Sequence, residues 1–186
     1  FTETIVKSMP PYPQHDFVIF LCRLLWNTEM ANDEQRKIHQ IQTRKCSWRP
    51  RSTLMHEIEE FQEIVVETKD MRIGDWRKTN RFAALSSVGY NHKMLRFVFR
   101  GMSELFGVPL RHLLEKLDKA IQAAPSDTVF SQLDSIIEKR LDTILENGPY
   151  ALAIDDLGDT NWDLDEAATI CILRQPGKFY GEFERF

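Results

Sequence analysis

A glycine and a proline two positions apart, Gly107 and Pro109, stand between two apolar runs of helical period. Met94, Leu95, Val98, Met102, Leu105 and Phe106 recur at helical spacing before this joint; Leu110, Leu113, Leu114, Leu117 and Ile121 do so after it. Glycine accepts the left-handed conformation that ends a helix, and proline is pre-set for the first turn of the next. The stretch from Asn91 to Ala124 therefore predicts an antiparallel pair of helices around which the rest of the chain packs. The side carrying Leu105, Leu114 and Leu117 is expected to be buried.

A chain of 186 residues that is 42% hydrophobic and 28% charged has the make-up of an ordinary globular protein, long enough for one domain with a sizeable core. Of its 28 acidic and 24 basic side chains, residues 126–186 hold 13 and 5, which leaves 15 and 19 for residues 1–125. A weakly basic body thus carries an acidic C-terminal third, an asymmetry that can orient a partner but that solvated faces explain as well. The cysteines Cys22, Cys46 and Cys171 have neither metal-ligand nor redox-pair spacing, which fits an intracellular, reducing compartment, and Cys22 reads as a small core residue. The chain starts at Phe1 rather than Met, consistent with trimming or with removal of a targeting presequence, such as that of a mitochondrial protein. The most apolar run, Phe17 to Trp26, is interrupted by Arg23 and covers about half of the ~20 residues a membrane span needs. A buried helix is expected there and no transmembrane segment.

The remaining pattern predicts an all-α fold of about seven helices, arranged as stacked hairpins or an irregular bundle. Residues 1–15, with Pro10, Pro11 and Pro13, read as an extended arm. Helices are expected from Asp16 to about Met30, from Asn32 to about Lys45, from Ser52 to about Asp70 and from Asp75 to about Val88. A further helix follows Pro125-Ser126-Asp127 and stops at Asn147-Gly148-Pro149; Asp163-Leu164-Asp165-Glu166 is a capping-box pattern that opens a short one to about Arg174. The helical domain is thus placed at 16–174 and an extended aromatic tail at 175–186. Helix pairs open near residues 16, 52, 91 and 127. The spacing is similar to the ~34-residue period of tetratricopeptide-type hairpin arrays, without their consensus.

Three groupings bear on chemistry. Glu57-x-x-Glu60, Glu60-x-x-Glu63 and Glu67-x-x-Asp70 would set carboxylates on adjacent helical turns, where they can share Mg²⁺. Leu54 to Ile64 (L-M-H-E-I-E-E-F-Q-E-I) resembles the first motif of the all-α nucleotide pyrophosphohydrolases of the MazG type. The resemblance covers these residues only and implies a Mg²⁺-dependent hydrolase. That family's second Glu-x-x-Asp is missing from the next helix, which offers Asp75 among Arg77, Lys78 and Arg81. Asp155, Asp159, Asp163 and Glu166 fall at positions 1, 5, 9 and 12 of an EF-hand-length loop, but Leu157 and Thr160 occupy the positions that need a ligand and a glycine. Residues 36–51 hold Arg36, Lys37, Arg44, Lys45, Arg49 and Arg51 with Trp48 among them, and 72–81 add Arg72, Arg77, Lys78, Arg81 and Trp76. Guanidinium and indole groups suit phosphates and bases, and equally a protein interface.

The five histidines share no ligand spacing, and no phosphate loop or nucleophile elbow occurs. The expectation is a non-catalytic interaction or scaffold subunit of a larger protein assembly, with no cofactor and no metal. Its partner-binding residues are expected to be Trp48, Arg49, Arg51, Phe179, Tyr180, Phe183 and Phe186. A helical-repeat RNA-binding module is the first alternative and the Mg²⁺-dependent nucleotide pyrophosphohydrolase the second.

Overall fold

The structure, a computed structural model, describes residues 19–48, 60–158 and 160–185, apart from the side chain of Trp48. In chain order the described elements are β1 (Arg23–Leu24), α1 (Asp33–His39), β2 (Gln42–Trp48), β3 (Glu60–Glu67), α2 (Ile73–Ser86), α3 (Arg96–Phe106), α4 (Leu110–Gln122), α5 (Val129–Leu145), β4 (Leu152–Ala153), β5 (Asn161–Trp162), α6 (Leu164–Arg174) and α7 (Pro176–Phe183). The fold is mostly helical with two small antiparallel sheets, not purely all-α. The described residues divide into two compact units. A helical unit takes in Ile19, 81–135 and 168–185, and a sheet unit takes in 20–80 and 136–167; the boundaries fall inside α2, α5 and α6.

In the helical unit the two expected helices form on either side of the Gly107-Val108-Pro109 joint. Gly107 ends α3 at φ +64°, and its N–H and that of Val108 bond back to Ser103 O and Met102 O. Leu110, Leu113, Leu114, Leu117 and Ile121 form the buried stripe of α4. Leu105, however, is 79% exposed, so the expected burial of α3 on that side is corrected. α3 instead buries Arg96 and Phe99. A π-helical turn, Ser87–Asn91, precedes it, and Gly89 lies so close to Phe99 that an added Cβ would sit 2.8 Å from the ring.

The C-terminal tail is also corrected. Instead of an extended segment, residues 176–183 form α7, opened by Pro176 at the helix start. Phe179 is 2% exposed and its ring lies 5.8 Å from that of Phe130. Glu182 accepts hydrogen bonds from the N–H groups of Val129 and Phe130 (2.9 Å each), capping α5 with a carboxylate where the helix dipole favours negative charge. Glu182→Ala removes that cap and should cost about 1 kcal/mol, measured as a shift of the urea midpoint at constant slope. An unchanged midpoint would show that water replaces the carboxylate without loss.

In the sheet unit, the helix expected across 32–45 and the described part, 60–70, of the one expected across 52–70 are replaced by a short helix and an antiparallel pair of strands. Asn32, where a helix was expected to begin, caps α1, its side chain accepting from Glu34 N–H at 2.9 Å. The helix stops at His39, because Gln40 takes the left-handed conformation (φ 49°) and Ile41 N–H closes onto Arg36 O. β2 then pairs antiparallel with β3, from Gln42 opposite Glu67 to Trp48 opposite Glu60, with a register shift at Gln42/Thr43. β3 carries Ile64-Val65-Val66, all buried, and this β-branched run suits a strand covered on both faces. The short β1 pairs on the other edge of β3. The apolar run around it is not a buried helix: Phe20, Leu25 and Trp26 are exposed, as is Cys22, which is therefore no core residue in this fold. With β2 and β3 in place of two helices, the expected array of stacked hairpins does not form across this part of the chain. The N-terminal arm, the expected helix start at Asp16 and residues 49–59 lie outside the described residues.

Candidate functional site

Of the expected partner-binding residues, Arg49, Arg51 and Phe186 lie outside the described residues, and only the backbone of Trp48 is described, in β2. Phe179 is a core residue of the helical unit. Tyr180 and Phe183 pack beside it, with ring centres 5.2 and 6.4 Å away, and the Tyr180 hydroxyl donates to Met94 O at 3.0 Å. The tail aromatics that motivated an interface are thus largely engaged in the protein's own fold.

Four arginines of the basic segments are similarly committed. Arg36 pairs with Glu63 (2.8 Å), Arg72 with Glu67 (3.4 Å), and Arg77 with Glu138 and with Asp142. Arg81, 6% exposed at its side chain, lies 2.7 Å from both Asp118 and Asp134. Its contact with Asp118 is an aligned hydrogen bond, whereas that with Asp134 is a charge contact lacking hydrogen-bond alignment. Trp76 is 3% exposed.

Glu60, Glu63 and Glu67 sit on β3, not on successive turns of a helix, so the spacing that suggested a shared metal does not apply to them. Glu57 lies outside the described residues. In the acidic loop, Asp155 opens a single 3-10 turn, and Asp159 is not described. The Glu166 carboxylate is turned back to accept from Asp163 N–H at 3.0 Å, the capping box read from the sequence. Among the described residues no group of three or more His, Cys, Asp or Glu side chains is placed to hold a metal ion.

Two arrangements remain that a periodicity analysis did not isolate. The first, in the helical unit, is the outer face of α3. Phe97, Gly101 and Leu105 follow one another at i, i+4, i+8, with Val98 and Met102 alongside. Phe97 is 75% and Phe106 71% exposed, beside the equally exposed Leu105. Arg100 and Glu104 pair at 2.6 Å on its flank. The signal was in the sequence: α3 is apolar on more than one side, which a helix buried along one stripe does not require.

The second is in the sheet unit. Tyr150 lies within cation–π distance of two guanidinium groups, Arg140 at 4.1 Å and Arg23 at 5.1 Å from the ring centre. Arg140 is 3% exposed and reaches Pro149 O through one long hydrogen bond of 3.5 Å. Burial pushes its guanidinium down from the ordinary value, against the opposing influence of Tyr150, Cys46 and Asp163. Close by, Arg44 donates to Leu145 O (2.9 Å) and Thr43 O (3.0 Å), and Cys46 Sγ lies 3.8 Å from Ile144 O. Burial raises the Cys46 thiol in spite of Arg140 and Arg44, so the thiol stays neutral and supplies no counter-charge. These arginines come from β1, β2 and α5, and no sequence spacing could group them.

No protein-family model matches the chain, and no curated protein is detectably similar to it. No helix among the described residues is long and apolar enough to cross a membrane.

Proposed function

We propose that this protein is a non-catalytic interaction subunit of a larger protein assembly, and that the outer face of α3 receives an apolar helix of a partner subunit. The observation that carries this reading is the exposure of Phe97, Leu105 and Phe106 along one short helix. Left in water, each such side chain forgoes roughly 1.5–3 kcal/mol of burial that a partner would supply. Monomeric proteins seldom leave contiguous apolar patches of this kind uncovered, whereas aromatic anchors of this kind are enriched at interfaces. The Arg100–Glu104 pair at its flank supplies the polar rim such an interface needs. Exposed Phe20, Leu25 and Trp26 on the sheet unit point to the same kind of role.

The test is a comparison of native complexes purified through the full chain and through Leu105→Glu. The variant should lose a stoichiometric partner at least about tenfold, since an apolar anchor in an interface core is typically worth over ~1.4 kcal/mol. Its melting temperature should stay unchanged, because Leu105 supports no core contact that the change would break. A matched charge change on the exposed side of α4, Lys116→Glu, should leave the complex intact. Retention of the partner by Leu105→Glu would move the interface off α3, and concentration-dependent self-association of the wild type alone would make the partner a second copy.

A further inference from the structure

In the sheet unit Arg23 and Arg140 share the Tyr150 ring and Arg44 reaches the end of the helix that carries Arg140, and we infer that Arg23, Arg44 and Arg140 form a binding site for a phosphate group. The inference is independent of the α3 face. The sheet register supplies the frame. Arg23 on β1 and Arg44 on β2 are both paired with Ile64 of β3, one on each side. Residues opposite one another in antiparallel strands project from the same face, so both side chains leave one face of the sheet. Arg140 on α5 is joined to Arg23 by their shared contact with the Tyr150 ring, and Arg44 reaches the end of the same helix, donating from Nε to Leu145 O.

Each guanidinium offers five N–H donors in a rigid fork. The acceptors that the fold provides are fewer: two backbone carbonyls for Arg44, one long hydrogen bond to a carbonyl and the Tyr150 hydroxyl for Arg140, and the face of Tyr150 for Arg23 and Arg140. No ion pair of these three is found among the described residues, although the charge of Asp163 acts on Arg140. Two like charges on one ring repel, and Arg140, the buried member, carries the larger desolvation penalty. An anion relieves both terms. Phosphate is the anion that matches best, because its tetrahedral oxygens take paired donors from several forks at once and its charge answers more than one guanidinium. The exposed Arg23 marks the solvent side by which a ligand would arrive, and the buried Arg140 gives the site its low-dielectric floor.

The phosphate could be the free ion or the terminal group of a nucleotide, and two titrations separate these sources. Calorimetry on the full chain at low ionic strength, with inorganic phosphate in one arm and AMP in the other, should show saturable binding in at least one. An AMP affinity over about tenfold tighter assigns the group to a nucleotide, and equal affinities assign it to the free ion. Arg23→Gln and Arg44→Gln should each weaken binding about tenfold, the effect of one charge-assisted hydrogen-bonded contact. Lys45→Gln makes the same charge change on the opposite face of β2, where Lys45 lies over Phe61, and should shift affinity by no more than about twofold. Arg140→Gln should abolish binding; should that variant not fold, the exposed Arg23→Gln decides the matter. Absence of saturable binding in both arms, or equal losses for Lys45→Gln and Arg23→Gln, would overturn the assignment.

Discussion

Deleting residues 178–186 is expected to abolish the cooperative melt of the helical unit. The deletion removes Phe179, whose side chain is 2% exposed and packs on Phe130, and with it the Glu182 cap of α5 and the Tyr180 hydrogen bond to Met94 O. Truncating a buried Phe alone costs ~3–5 kcal/mol, and a lost cap adds ~1 kcal/mol. Against a typical total of roughly 5–15 kcal/mol, that is enough to leave Val129, Leu133 and the buried stripe of α4 without a stable seat. Thermal melts followed by circular dichroism should show a broad, low-temperature transition in place of a sharp one. This reverses the expectation from sequence, in which an extended tail served a partner. A deletion variant that melts like the full chain would return the tail to that role.

Arg81→Ala should destabilise the protein by about 3 kcal/mol. The size follows from burial: removing one member of a buried ion pair costs roughly 3–5 kcal/mol, since the partners lose a charge they were desolvated to meet. The lower end applies here, because Asp118 and Asp134 are 24% and 29% exposed and water screens them in part. Both carboxylates face the Arg81 guanidinium at 2.7 Å, so its removal also leaves two negative charges on α4 and α5 with their shared counter-ion gone. Arg81→Lys should recover only part of the loss, since a single ammonium cannot reproduce the planar fork. Denaturant unfolding with an unchanged slope is the measurement, and a loss under about 1 kcal/mol would mean that the ion triad contributes little beyond its desolvation.

What the sequence determined by itself is local. The joint at Gly107-Val108-Pro109 set the α3–α4 turn, since only glycine takes φ +64° there without strain. The α4 stripe was legible from its helical period, and the Asp163/Glu166 box because it is decided within four residues by backbone donors that need acceptors. The tertiary structure decided the rest. Phe61 and Val65 fit a helical stripe with Leu54 and Ile58, yet β3 is a strand. Its hydrogen-bond partners, β1 and β2, come from up to about forty residues away, and the pairing satisfies the Ile64-Val65-Val66 backbone while burying all three side chains. The tail aromatics carried no period long enough to read, and Phe179 became core only because Phe130 was already in place to cover it. The two candidate sites divide along the same line. The α3 face was visible as an excess of apolar residues, but whether it lay inside or outside depended on what packed against α3. The Arg23, Arg44 and Arg140 cluster was invisible, because charge proximity is a property of three-dimensional distance, and these side chains are brought together from three elements far apart in the chain.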